Sequence, residues 1–388
     1  VTECYEIVVV GGGIHGVGVA QAAACAGHSV LVLEKTGLAA GTSSRSSKLI
    51  HGGLRYLEGL DFALVRESLR ERAILRRIAP DLVQLQPFHI PVYNTTSRRP
   101  LTIRAGLSLY ALLGGLHEAN RFRKLKRREW DQLDGLTTDG LRAVYRYYDA
   151  QTNDAELTRA IMQSAIGLGA TLECPAEFTA ASVGPDGCEI RYRHAGVDRS
   201  CHAGVLVNAA GPWVNHIADR IDPPPPRLQV DLVQGAHLVM QGGLNHGCYY
   251  LEVPADRRGV FLLPWGEHSL LGTTENLFTG EPGDVRVLDS EVAYLLAAMA
   301  HYFPHRRQVI VDRFAGLRVL PAAESTVFRR SREIRLAVDD PARPRVVSIY
   351  GGKLTGYRLT AVKILQQLRH TLPVRSPIAD TATLKISG

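Results

Sequence analysis

The chain has 388 residues, 45% hydrophobic and 21% charged, an ordinary globular composition with room for two domains sharing one buried core. Its net charge is +7, no apolar run reaches transmembrane length, and the opening lacks the basic start and long apolar middle of a secretory leader. The six cysteines contain no C-x-x-C pair and no H-E-x-x-H occurs, so neither a disulfide framework nor a metal site is expected.

"EIVVV" (6–10) is a continuous β-branched run, as in a strand buried on both faces of a parallel sheet. "GGGIHG" follows, then a small-residue helix ending at Gly27, then a second strand, "SVLVLE" (29–34). Gly11, Gly13 and Gly16 therefore form G-x-G-x-x-G at a strand-to-helix junction. Gly11 permits the tight turn, Gly13 lets the backbone approach a pyrophosphate, and Gly16 lets helix and strand pack closely. The helix start adds unpaired N–H groups and a positive dipole end. Glu34 stands 18 residues after Gly16, the position of a carboxylate that binds ribose hydroxyls. This cradle suits NAD and FAD alike.

The next stretch is "GTSSRSSKLIHGGLRYLE" (41–58). Thr42, Ser43, Ser44, Ser46 and Ser47 precede Lys48, His51, the Gly52–Gly53 pair and Arg55, poor material for an apolar core. Residues 61–79 read as an amphipathic helix with Phe62, Val65, Leu69 and Ala73 on one side, closed by Pro80. "PFHIPVYN" and "RPLTIRAGLSLYALLGG", within 87–130, mix strand and helix character. The basic run "RFRKLKRRE" (121–129) reads first as a solvated face, then as contact with an anionic membrane or substrate. Nucleic acid is not expected, because no helix-turn-helix, RNA-recognition or zinc-finger pattern accompanies the charge.

"DAELTRAIMQSAIGLG" (154–169) reads as a helix with an acidic N-cap, followed by the strands "EFTAASV", "CEIRYRH" and "SCHAGVLVNAAG". "PWVNHIADRI" starts a helix with Pro in its first turn. "DPPPP" (222–226) is a stiff hinge into a second domain that holds "GAHLVM", "GVFLLPW", "SLLGTT" and a helix over 289–302. "RVVSIYGGKLTGYRLTAVKILQQLR" then returns to strand, glycine turn and helix. The extra small-residue turns in "VLVNAAGPW" and "YGGKLTGYR" favour FAD over NAD, since a long dinucleotide needs chain at its far end.

"VVVGGGIHGVGVAQAAACAG", "GTSSRSSKLIHGGLRYLE", "NAAGPWV", "LLGTTE", "GLRVLP" and "GGKLTGYR" occur in an order that resembles the motif series of FAD-dependent glycerol-3-phosphate dehydrogenases, within the D-amino-acid-oxidase-like group of flavoproteins. The resemblance spans nearly the whole chain. It implies an α/β fold class: a glutathione-reductase-type FAD-binding Rossmann-like domain with an inserted mixed-sheet α+β substrate domain. Segments 1–86, 149–226 and 341–388 fall to the FAD domain, and 87–148 and 227–340 to the substrate domain. The activity implied is oxidation of sn-glycerol 3-phosphate to dihydroxyacetone phosphate, with hydride passing to flavin N5 and electrons passing on to quinone, oxygen or a partner protein. Two alternatives stand beside it: an FAD dehydrogenase or oxidase for another α-hydroxy acid, amino acid or sugar phosphate, and a flavin electron-transfer subunit with little turnover. The expected location is cytoplasmic, with peripheral contact on the inner face of the cytoplasmic membrane as an option.

This sequence departs from the family pattern at His15 (usually Asn), Gln234 (frequently Lys) and Glu275 (usually Asp), and it is expected to lack the family's usual helical C-terminal domain.

Cofactor contacts carried over by the resemblance begin with Gly11, Gly13, Ile14 and Gly16 in the cradle, and Glu34 with Lys35. Thr42, Ser43 and Ser47 would bond pyrophosphate and ribityl oxygens, while the backbone of Lys48, Leu49 and Ile50 passes along the flavin ring. Glu177 lies where the family's strand meets the adenine. Ala209, Ala210, Gly211 and Trp213 form the second turn, and Gly316, Gly352, Lys353, Leu354 and Thr355 complete the set. His51 and His237 are the candidate bases, each weighed evenly against a structural or flavin-positioning role. Lys353 opens a helix, where a cation sits badly unless an anion is present, so it is assigned to a developing negative charge. Arg55, Arg318 and Arg332 are candidate forks for a phosphate, with Tyr56 adding a hydroxyl. Arg318 leads because "AGLRVLP" is apolar, whereas Arg332 is one of several arginines between 329 and 335.

Overall fold

The computed structural model describes residues 3–322 and 334–388. β1 (Glu3–Val10), α1 (Ile14–Cys25) and β2 (Val30–Leu33) make the expected β-α-β unit. β3 (Leu49–Ile50), α2 (Phe62–Ile78), β4 (Val83–Tyr93), α3 (Pro100–Leu113), β5 (Arg123–Lys124) and β6 (Leu141–Thr152) follow. Next come α4 (Asp154–Gly167), β7 (Thr171–Glu173), β8 (Ala176–Gly184), β9 (Gly187–His194), β10 (Val197–Asn208), α5 (Val214–Ala218) and β11 (Ile221–Asp222). The chain continues through β12 (Val230–Gln241), β13 (Cys248–Glu252), β14 (Gly259–Trp265), β15 (His268–Gly272), β16 (Asn276–Phe278), α6 (Asp289–Tyr302) and β17 (Ile310–Pro321). β18 (Arg335–Val338), β19 (Val346–Tyr350) and α7 (Tyr357–Leu368) close it.

The strands form two sheets. The first runs β11-β8-β9-β10-β1-β2-β7, with β19 on β10 and β18 on β19. Its centre, β1 with β2 and β10, is parallel, as the β-branched run required. The second runs β16-β12-β15-β14-β13-β4-β6-β3, with β17 on β12 and β5 on β6. The proline segment after β11 carries the chain from the first sheet to the second. α1 is buried nearly all round, and its alanines pack with β1, α4 and α7 in one core.

Three local features differ from the sequence reading. No local pattern marks β6, because its tyrosines, arginines and acids hide a strand buried on both faces; it pairs antiparallel with β4 along its length. β18 lies within 227–340 yet joins the first sheet through β19, and β3 lies within 1–86 yet pairs with β6 in the second. Both follow from ladder partners that no local pattern encodes. Asp154 does not cap α4; Asn153 does, its side chain accepting the Glu156 N–H, which leaves the Asp154 carboxylate turned inward.

A buried ion pair ties α2 to α7. Arg358 donates to both oxygens of Glu71 at 2.9 and 2.5 Å, and a third bond reaches Thr381 Oγ1 at 3.2 Å. Removing one partner strands the other charge in the core. Arg358→Ala is expected to lower unfolding free energy by about 3–5 kcal/mol, read from urea denaturation.

Candidate functional site

The dinucleotide cradle is present in atomic detail. Gly11 has φ +111°, and a Cβ there would lie 2.7 Å from Ala209 O. A Cβ on Gly16 would lie 1.9 Å from Gly11 O, so α1 rests directly on the turn. Ser43 Oγ accepts the Ile14 N–H at 2.9 Å, bringing the serine segment to the helix start. Glu34, just after β2, accepts the Gly12 N–H at 2.6 Å and the Thr36 N–H at 2.8 Å. Ala209 crosses beside them, its N–H donating to Val10 O at 2.9 Å, and Ala210, Gly211 and Trp213 follow in the same turn. Lys35 pairs with Glu177 at 2.9 Å, joining two carried-over residues on neighbouring segments. Backbone donors at a helix start, a hydroxyl beside them and a carboxylate at the next strand end suit a pyrophosphate and ribose, so these residues fit FAD.

The serine segment is held along its whole length. Thr42 Oγ1 donates to Leu317 O at 2.7 Å, beside Gly316. The Ser46 N–H and hydroxyl donate to Asp154 Oδ2 at 3.0 and 2.6 Å. Lys48 Nζ pairs with Asp154 Oδ1 at 2.6 Å and donates to Ser44 O. The Lys48 side chain is thus buried against α4, and its carbonyl accepts the Thr152 N–H at 2.9 Å. Leu49 and Ile50 pair with Gln151 and Ala150. The Gly52 N–H donates to Tyr110 Oη at 2.9 Å and Asp149 Oδ1 at 3.2 Å. Asp149 is also paired with Arg72; burial raises its pKa, opposed by that guanidinium. Thr355 Oγ1 accepts the His51 N–H at 3.2 Å, fastening the Gly352–Leu354 turn to the segment.

A cavity of about 450 Å³ opens beyond this segment. Its polar walls include His51, Arg55, Tyr56, Thr273, Glu275 and Arg318; its apolar walls include Leu54, Phe88, Ile103, Tyr147 and Phe261. Arg318 Nη1 lies 3.0 Å from Glu275 Oε1, and Arg55 Nη1 lies 3.9 Å from the same oxygen. Arg318 Nη2 is 3.4 Å from Thr273 Oγ1. Lys353 Nζ stands 4.0 Å from the centre of the Tyr56 ring, which stacks with His51. His51, Arg55, Tyr56, Arg318 and Lys353 are therefore brought together, whereas Arg332 lies outside the described residues.

Residues 6–362 match the family model described as DAO, FAD dependent oxidoreductase. The chain belongs to this family of FAD-dependent oxidoreductases. It is 36% identical to the glycerol-3-phosphate dehydrogenase of Pseudomonas tolaasii, over 94% of this chain and 72% of that protein. It is 33% identical to the D-erythritol 1-phosphate dehydrogenase of Brucella abortus, over 96% of this chain and 75% of that protein. The FAD-complexed glycerol-3-phosphate dehydrogenase of Bacillus halodurans superposes with a TM-score of 0.77 at 25% identity, over 98% of this chain and 67% of that one. The family, FAD dependence and α/β fold class expected from the motif series are thereby borne out.

In this flavoprotein the two candidate histidines occupy different settings. His51 lines the cavity. His237 is 2% exposed, stacks on Phe314 at 5.0 Å and has Nε2 2.9 Å from Ser47 Oγ. Burial, followed by the charges of Arg318 and Lys48, pushes its pKa down to about 3, so it is neutral and a weak base. That setting suits holding Ser47 better than taking a proton. The cavity also contains Arg98, Asp149 and Arg258, which the sequence reading missed. Arg258 bonds Asp256 at 2.6 Å and the Glu275 carbonyl at 3.2 Å. No motif marks these residues, and an arginine in an arginine-rich chain looks the same whether solvated or inward.

Two buried histidines, His89 and His237, and the half-buried His15 are expected to make stability pH-dependent. Burial lowers His237 to about 3, and His15 and His89 to about 4. Unfolded histidine protonates near 6.5, so between these values the unfolded chain binds more protons. The stability is present above pH ~6.5 and is lost as pH falls towards ~4. The urea midpoint is expected to drop across that window, less steeply in His15→Asn, when measured at stepped pH.

Proposed function

We propose that this FAD-dependent oxidoreductase oxidises the C2 hydroxyl of sn-glycerol 3-phosphate to dihydroxyacetone phosphate. The observation that carries the reading is the convergence of Arg55 and Arg318 on one edge of the cavity, with Lys353 close by across Tyr56. Gathered around the Glu275 carboxylate, these three cations leave an excess of positive charge at that edge of the cavity, suited to a phosphate dianion. Arg318 and Arg55 hold the phosphate through guanidinium forks. His51 takes the hydroxyl proton, and Lys353 stabilises the negative charge that develops on the substrate oxygen. Bound FAD would supply the acceptor for the C2 hydride. The cradle from Gly11 to Gly16, Glu34 and the hydroxyls of Thr42, Ser43 and Ser47 hold that cofactor.

The test is anaerobic addition of glycerol 3-phosphate to purified yellow protein, which is expected to bleach the flavin absorption. A longer polyol phosphate is the second reading, supported by Glu275, which places a hydrogen-bond acceptor between the two arginines for an extra hydroxyl. Bleaching by D-erythritol 1-phosphate but not by glycerol 3-phosphate would decide for it.

The electron acceptor belongs to the same proposal. Among the described residues no helix is long and apolar enough to cross a membrane. Leu101 and Leu112 on α3 are 77% and 61% exposed, and Leu60 at the cavity mouth is 72% exposed. The exposed cations between 121 and 128 follow α3 in the chain. This combination supports peripheral docking on an anionic bilayer, with a membrane quinone as acceptor. The protein is expected to co-sediment with anionic vesicles and not with neutral ones, and Leu101→Asp with Leu112→Asp is expected to abolish that binding.

A further inference from the structure

We propose that Asp154 is a positioning residue for the cofactor, acting through the serine segment it anchors. The inference rests on the reading that this segment wraps FAD.

Asp154 is fully buried at the start of α4, yet it does not cap that helix. One oxygen accepts both the N–H and the hydroxyl of Ser46. The other faces Lys48 Nζ at 2.6 Å and accepts the Ala155 N–H at 2.9 Å. Lys48 has φ +60°, a left-handed conformation unfavourable for a side-chain-bearing residue, at the point where the segment turns into β3. Its ammonium also reaches back to Ser44 O, within the same segment. The Ser46 hydroxyl, besides donating to Asp154, accepts the Lys48 N–H at 3.0 Å.

One carboxylate therefore gathers Ser44, Ser46 and Lys48 into a single conformation. Ser43 and Ser47 on either side are left facing other elements: Ser43 meets the Ile14 N–H at the cradle, and Ser47 meets His237. The alternation decides the geometry. Ser44, Ser46 and Lys48 are spent on holding the loop, so that Ser43, Ser47 and the Leu49–Ile50 backbone keep fixed positions along the cofactor path. A buried ion pair is poor evidence of stability by itself, since an apolar pair of similar volume often packs as well. Its use here is to select one loop conformation.

Three variants test this: Asp154→Asn, Lys48→Met, and the double Asp154→Leu with Lys48→Met. Apoprotein prepared from each holoenzyme is titrated with FAD, and thermal unfolding and the visible flavin spectrum are recorded. Asp154→Asn is expected to weaken FAD binding about 30-fold and to alter the flavin band. The double variant removes both buried charges, so its thermal stability is expected to return towards wild type. Its FAD affinity is expected to stay about 30-fold low, because the tethers to Ser44 and Ser46 are gone. Recovery of affinity and spectrum together with stability would overturn the proposal and leave Asp154 a structural residue. Unchanged FAD affinity in Asp154→Asn would overturn it too. If apoprotein carrying Ser43→Ala and Ser47→Ala takes up FAD as tightly as the wild-type apoprotein, the reading of the segment as the cofactor wrap fails instead.

Discussion

Arg318→Ala is expected to raise the KM for glycerol 3-phosphate about 100-fold while leaving FAD content unchanged. Two effects add. The substitution removes a guanidinium fork whose charge-assisted bonds to phosphate are each worth about 1.5–3 kcal/mol. It also takes away the closest described partner of Glu275, 3.0 Å distant, leaving a carboxylate 7% exposed beside the place where a phosphate must sit. FAD is retained because none of the cradle contacts from Gly11 to Ser43 involves Arg318. Arg318→Lys is expected to recover only part of the loss, since an ammonium keeps the charge and not the fork. Steady-state kinetics with the flavin absorbance of the same preparations measures both quantities, and an unchanged KM would count against the phosphate role.

The second large effect is at the cradle. Gly16→Val is expected to abolish FAD uptake, giving colourless protein. Even the first carbon of that side chain would lie 1.9 Å from Gly11 O, and the obstacle is a backbone oxygen. Relief requires α1 to move away from the turn, and Gly11, at φ +111°, has little freedom to yield. The displaced helix start then no longer presents its N–H groups to a pyrophosphate. Gly37→Ala is the matching control: nothing lies within 4 Å of a Cβ there, so colour and melting temperature are expected to stay at wild-type values.

Both predictions begin from residues visible in the sequence, but they differ in what made them visible. Gly16 is marked by spacing alone, since a close helix-to-turn approach at that offset admits only glycine. Arg318 is marked by an apolar neighbourhood, which says that its charge needs a partner without saying which. Among the described residues its charged partner is Glu275, 43 residues earlier, noted in the sequence only as a departure from the family pattern. His237 shows the limit of reading by residue type. Imidazole chemistry made it a candidate base, and enclosure beneath Phe314 lowered its pKa to about 3.

The sequence by itself determined the local elements: the β-α-β unit, the amphipathic helix α2, the helix α6 and the closing strand, turn and helix. Their signals are periodicity and glycine spacing, which act over a few neighbouring residues. The motif order carried the family and FAD with it. Only the tertiary structure decided that Lys48 turns to Asp154, 106 residues away, and that Gly52 is held by Asp149, 97 residues away. It also decided that β6, hidden by its tyrosines and charges, forms the rail on which the segment lies. Such pairings depend on which surfaces the packed sheets bring together. A carboxylate bonded to a buried lysine and one facing water are the same letter until the chain has folded around them.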